Sequence, residues 1–123
     1  MVEILPVEDK LKQQAYCLQF DVHFELALMA YVALKDGEAV AICQFEISRQ
    51  ECDIRDLSFE DNLRQTPIPF LLLRAVVHFA DGCGAVRMRI STENVNEELA
   101  VSAGFFKKRQ GNYEVNLQNL RHQ

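Results

Sequence analysis

Residues Leu57–Leu73 read LSFEDNLRQTPIPFLLL. A strand-like run ends at Phe59 and a helix-like run begins near Phe70, so the segment between them lies where many α/β proteins bind phosphate. Such a turn normally uses glycines and free backbone amides, yet here Pro67 and Pro69 occupy it. Proline holds φ at about −65° and has no N–H, so it suits the first turn of a helix and cannot donate to an anion.

Upstream of this stretch, Cys52–Phe59 reads as a strand whose alternation slips. Ile54 has one parity and Leu57 and Phe59 the other, so all three reach one core only if an extra residue lies near Arg55-Asp56. The alternative is a sheet apolar on both faces. Two earlier runs, Leu26–Leu34 and Ala39–Ile47, flank Lys35-Asp36-Gly37-Glu38, and the Asp-Gly pair makes them a hairpin. Val2–Leu5 forms a short first strand stopped by Pro6. Between them, Glu8–Phe20 carries Leu11, Ala15 and Leu18 at helical spacing with polar positions between, which predicts an amphipathic helix ending near Asp21.

Downstream, Phe70–Ala80 is the clearest helix, started by Pro67 or Pro69 and ended by Gly82 or Gly84. Ala85–Ile90 follows as a strand, with Val86, Met88 and Ile90 on one face and Arg87 and Arg89 on the other. Asn94-Val95-Asn96-Glu97 resembles a helix cap, opening a short helix to Ser102 that Gly104 terminates. Phe105–Lys108 and Tyr113–Leu117 close the chain as a hairpin around Gln110-Gly111-Asn112. Hairpins pair strands antiparallel and a β-α-β crossover pairs them in parallel, so the order predicts an α+β fold with a mixed, mostly antiparallel sheet.

The chain has 123 residues, 49% of them hydrophobic and 25% charged, which suits a single domain over residues 1–123. A net charge of −5 and a pI near 5.1 argue against nucleic acid as a partner. Lys107-Lys108-Arg109 is the one basic cluster and reads most simply as a solvated strand end. Cys17, Cys43, Cys52 and Cys83 contain no C-x-x-C pair and have no histidine at metal spacing, so reduced, mostly buried thiols are expected. No apolar run approaches the ~20 residues that span a bilayer, and no basic leader precedes Val2, so a cytoplasmic location without membrane contact is expected.

Together these features resemble the GNAT superfamily of acetyl-CoA-dependent N-acetyltransferases. That family's central signature runs roughly L-x-V-x-P-x-x-R-G-x-G-I-G-x-x-L-L, and residues 57–73 keep its register without a gap. Ala103-Gly104-Phe105 is similar to the family's G-F after the last helix, and the Asp-Gly hairpin to its early turn. The resemblance implies a bulged third hairpin strand that parts from the crossover strand. The pantetheine arm of acetyl-CoA, or of another acyl-CoA, would lie in the slot against the main chain of about Leu57 to Phe59. Its pyrophosphate would sit on the turn and the helix N-terminus.

Against that pattern, Gln65, Pro67 and Pro69 occupy the signature's three glycine positions. The amides of Gln65, Thr66, Ile68 and Phe70 remain as donors, and Arg64 keeps the family's basic position. A hydrogen bond to a charged group contributes about 1.5–3 kcal/mol, so two lost donors weaken a pyrophosphate site by tens- to thousands-fold. Glu60 and Asp61, one of them at the family's proline, add repulsion.

Ala100 stands where many members place a tyrosine acid. Asn94 or Asn96 matches a cofactor-contacting asparagine, with helix capping as the competing role for either. Asp53 aligns with a carboxylate that some members use as general base, beside the plainer reading of a solvated residue next to Arg55. His23, His78 and His122 fit no triad. Only about twenty residues, Pro6 to Glu25, lie where members usually carry two helices, so the acceptor pocket is open or completed by a second copy as a homodimer. The function implied is acyl transfer to a small-molecule or peptide amine through a weakened cofactor site. The alternative is an inactive module of the same fold that binds a partner.

Overall fold

In the computed structural model, residues 1–91, 97–107 and 112–117 are described. Strand β1 (Val2–Pro6) leads to helix α1 (Lys10–Phe20), then to β2 (Met29–Lys35), β3 (Glu38–Ser48) and β4 (Glu51–Phe59). After a single 3-10 turn at Asp61–Leu63 come α2 (Ile68–Gly82), β5 (Arg87–Ser91), α3 (Glu97–Ser102), β6 (Phe106–Lys107) and β7 (Asn112–Asn116). The strands form one seven-stranded sheet in the order β1-β2-β3-β4-β5-β7-β6. Among the described residues only β4 and β5 pair in parallel, as the crossover through α2 requires. The expected cap of α3 at residues 94–96 and the final turn at residues 108–111 lie outside the described residues.

The β2–β3 turn bears out the Asp-Gly reading. Asp36 and Gly37 both have positive φ, at 52° and 86°, the conformation a two-residue hairpin with native twist needs. The β3–β4 turn uses the same backbone with Arg49 and Gln50, at 52° and 67°, where neither residue favours it.

Helix α2 buries Ile68, Pro69, Leu72, Leu73, Val76, Val77 and Ala80 along one stripe. That stripe meets Cys43, Phe45, Cys52, Ile54 and Leu57 of the sheet, while Ala100, Ala103 and Phe105 close the same core from α3 and the chain after it. Tyr31, Phe45 and Phe79 pack their rings against one another at centroid distances of 5.7–6.2 Å. Gly104, at φ 100°, lets the chain turn sharply so that the Phe105 N–H reaches the Ala100 carbonyl.

Helix α1 begins at Lys10, two residues later than the expected Glu8, because the Asp9 carboxylate caps the amides of Leu11 and Lys12, and it ends at Asp21 in the left-handed conformation. Its rotation about its own axis differs from the sequence expectation. Leu11, Ala15 and Leu18 face solvent, with the two leucines 77% and 79% exposed, and the buried residues are Gln13 and Cys17. The physical reason lies beneath it. The α1 face of β3 presents Gln44, fully buried, and Gln13 and Cys17 both hydrogen-bond to its side-chain oxygen, at 2.9 and 3.2 Å. A buried amide left unpaired is costly, so the helix turns its polar stripe inward.

Candidate functional site

The slip in β4 parity is a bulge at Arg55. Gln44 of β3 pairs with Asp56 and Phe45 with Ile54, so Arg55 is the extra residue between them. Cys52 and Ile54 therefore share the α2 core with Leu57, and Phe59 packs against its edge. Beyond the bulge the two parallel strands part. β5 pairs with β4 from Glu51↔Arg87 to Ile54↔Ile90 and no further, while β4 continues beside β3 to Phe59. Residues 55–59 thus have a strand on one edge and, among the described residues, none on the other. Unpaired backbone along such an edge is a ready hydrogen-bonding surface for an extended ligand.

At the wide end of this fork lies a cavity of about 260 Å³. Phe59 lines it from β4, Arg64, Gln65, Thr66, Pro69 and Phe70 from the turn and first turn of α2, and Glu98, Leu99 and Ser102 from α3. Five residues expected at a cofactor site, Phe59, Arg64, Gln65, Thr66 and Phe70, thus meet around one opening. Leu57 and Ile68, expected to act through their main chain, bury their side chains in the α2 core, and Asn94 lies outside the described residues. The α3 side of the cavity was not anticipated. Glu98 and Ser102 stand four apart with Leu99 between them, and Ala100 and Ala103 point to the core, a phase readable once the helix is placed.

The backbone donors here are fewer than at an ordinary helix start. Pro67 is the N-cap and Pro69 lies in the first turn, where it offers no N–H. The Ile68 amide lies 3.4 Å from Thr66 Oγ1, whose hydroxyl donates to the Leu63 carbonyl at 2.7 Å, and the Thr66 amide donates to the same carbonyl at 2.9 Å. The Gln65 and Phe70 amides have no acceptor among the described residues. Arg64 is exposed and 3.7 Å from the Asp61 carboxylate. An anion at this cavity would find two amides and one guanidinium, with carboxylates at Asp61 and Glu98 beside them. These groups match a pyrophosphate in kind and fall short of a full cradle.

At the narrow end, where β4 and β5 diverge, Asp53, Ile54 and Arg55 face Arg89, Ile90 and Ser91 around a shallower cavity of about 190 Å³. Asp53 accepts a bidentate pair from Arg89, Nε at 2.9 Å and Nη2 at 3.3 Å. That hydrogen bonding, with the Asp53, Glu51 and Glu114 charges, raises the Arg89 guanidinium further above its usual pKa. Arg55 pairs with Glu46 across β3. Ala100, fully buried, brings no hydroxyl to either end. His78 is exposed on α2, and His23 stands 3.7 Å from Glu25, also exposed. Among the described residues no cluster of three or more histidine, cysteine or carboxylate side chains could hold a metal ion, and no helix is long and apolar enough to cross a membrane.

Mixed sheet, bulged β4, parted β5 and a helix N-terminus at the open end together define the GNAT fold. Solved structures share it from end to end. An IAA acetyltransferase from Bacillus cereus superposes with a TM-score of 0.70 at 17% identity, covering 94% of this chain and 99% of its own. The ribosomal-protein-S18-alanine N-acetyltransferase of Escherichia coli gives 0.76 at 12% identity, over 95% and 94%. A Bacillus subtilis acetyltransferase in complex with CoA gives 0.68 at 14% identity, over 94% and 99%. No protein-family model matches the sequence, and neither does any curated protein.

Proposed function

We propose that this protein transfers an acyl group from an acyl-CoA thioester, acetyl-CoA being the simplest, to the nitrogen of an amine. The observation that carries this reading is the fork: β4 is freed from β5 by the bulge at Arg55 and leads from a charged cleft at Asp53 and Arg89 to a helix-terminal cavity at Phe70. A bound acyl-CoA supplies the activated thioester. Main-chain groups of Leu57–Phe59 would hold its arm, and the Gln65 and Phe70 amides with Arg64 would hold its phosphates.

Acyl transfer requires a neutral amine, and Asp53 would accept the proton directly or through water. Its bidentate pairing with Arg89 fixes its direction and engages both of its oxygens. No side chain of the tyrosine type is available at Ala100 to protonate a leaving thiolate, so that proton would come from solvent. Modest catalysis follows from both features.

A second reading has its own support. Pro69 removes one donor and Thr66 occupies another, so the same fold could serve as a binding module with a weakened cofactor site. Titration of acetyl-CoA by calorimetry separates the two. Binding on the order of micromolar supports transfer, while no heat at millimolar ligand removes the cofactor and with it the enzymatic reading.

A further inference from the structure

Beyond the cofactor, the narrow end of the fork carries information about the acceptor. Side chains of β3, β4 and β5 there form a row of alternating charge: Glu46 with Arg55, Asp53 with Arg89, Glu51 with Arg87. Arg89 uses Nε and one Nη2 hydrogen on Asp53, and Glu51 stays 3.7 Å from Nη2, beyond hydrogen-bonding distance. Its Nη1 group has no hydrogen-bond partner among the described residues, so one edge of the guanidinium fork faces outward beside a carboxylate.

We propose that this cleft binds the head group of an α-amino acid, its carboxylate on the free edge of Arg89 and its amino group against Asp53. This rests on the acyl-transfer reading for its role as acceptor and on the cleft alone for its binding. The charge balance selects the class. Glu25 acts electrostatically on Arg55 and Glu114 on Arg89, so carboxylates outnumber guanidiniums around the cleft. A simple anion is repelled by that surplus. A zwitterion is not, because its ammonium meets Asp53 where its carboxylate meets Arg89. An amine without a carboxylate leaves the Arg89 edge unused, and a cleft of about 190 Å³ suits a head group with a small side chain better than a folded protein surface.

The test is a titration of the 15N-labelled protein by NMR with each of the twenty amino acids, and with L-alaninamide and acetate as head-group controls. Acetyl-CoA is titrated separately on the same sample. At least one amino acid is expected to shift the amides of Asp53, Arg55, Arg89 and Ser91. Its amide derivative should bind about tenfold more weakly, since a charge-assisted hydrogen bond is lost. Arg89→Gln should erase that preference. Arg89→Lys, which keeps charge without the fork, should restore part of it, and both variants are checked for folding by their own spectra. Equal binding of amino acid and amide, or no shift from any amino acid, overturns the proposal. Contact by acetyl-CoA without contact by amino acids leaves acyl transfer standing and removes the acceptor assignment. The reverse pattern leaves the head-group site and removes acyl transfer.

Discussion

Gln44 and Asp56 lie opposite each other on β3 and β4, and the Gln44 amide nitrogen donates to Asp56 Oδ2 at 2.8 Å. The same nitrogen donates to the His23 carbonyl at 2.7 Å, and the Gln44 oxygen accepts from Gln13 and Cys17. Gln13 in turn donates to the Leu28 carbonyl and accepts from Lys10. One buried side chain therefore ties α1, the loop after it and the residue flanking the β4 bulge. The amide can face only one way, because reversing it would set oxygen against two acceptors. No buried side-chain nitrogen or oxygen among the described residues lacks a partner.

Replacing Gln44 by leucine should destabilise the fold strongly. Gln13 would lose its partner at a buried position and Asp56 at a half-buried one, and an orphaned buried group costs about 1–3 kcal/mol. Urea denaturation should report a loss on the order of 2–5 kcal/mol. The double variant Gln13→Leu with Gln44→Leu should lose less than the sum of the two single changes, because it removes both ends of one hydrogen bond. Additive losses would show that the two amides are not coupled.

Pro69→Ala should strengthen acetyl-CoA binding. Pro69 lies in the first turn of α2 on the rim of the cavity, and alanine restores an N–H there without asking for an unusual backbone angle. One donor to a charged group contributes about 1.5–3 kcal/mol, so affinity should rise by roughly ten- to a hundredfold. Calorimetry on both proteins measures it. An unchanged affinity would mean that phosphate does not approach this amide.

Alkaline solution should unfold the protein through its thiols. Burial, the Asp53 charge and Cys83 push the Cys52 pKa from 9.0 to about 12, and burial also raises Cys17 and Cys43. The folded chain therefore keeps protons that the unfolded chain has released. Their stabilisation is fully present below pH 9 and is lost as pH rises from about 9 towards 12. Denaturation midpoints measured across that range should fall, and Cys52→Ala should flatten the fall. In native protein at neutral pH a thiol reagent should modify the exposed Cys83 and leave the three buried cysteines until unfolding.

Most of the fold was legible because its signals are local. Asp36-Gly37 fixes a hairpin through backbone angles, and the displaced parity of Ile54 against Leu57 and Phe59 marks the bulge, which is also what opens the fork. The turn before α2 could be placed by register alone. What could not be read was whatever depends on partners distant in sequence. Asp53 shows no sign in the sequence of being held by Arg89, nor does Thr66 show that it occupies the Ile68 amide, and Glu98 and Ser102 join the cavity only through the packing of α3 on α2.

Helix α1 is the clearest case. Its apolar spacing suggested that Leu11, Ala15 and Leu18 face the sheet, whereas the buried Gln44 selects Gln13 and Cys17 for that side and leaves the leucines in solvent. Substituting serine at Leu11 and Leu18 together should therefore change stability by no more than about 0.5 kcal/mol per site, the range for exposed positions. The reading from spacing alone demands a far larger loss, about 2–5 kcal/mol for each buried leucine truncated. Urea denaturation of the double variant distinguishes the two at once. A loss in the larger range would place both leucines inside the fold and require α1 to turn its other face to β3.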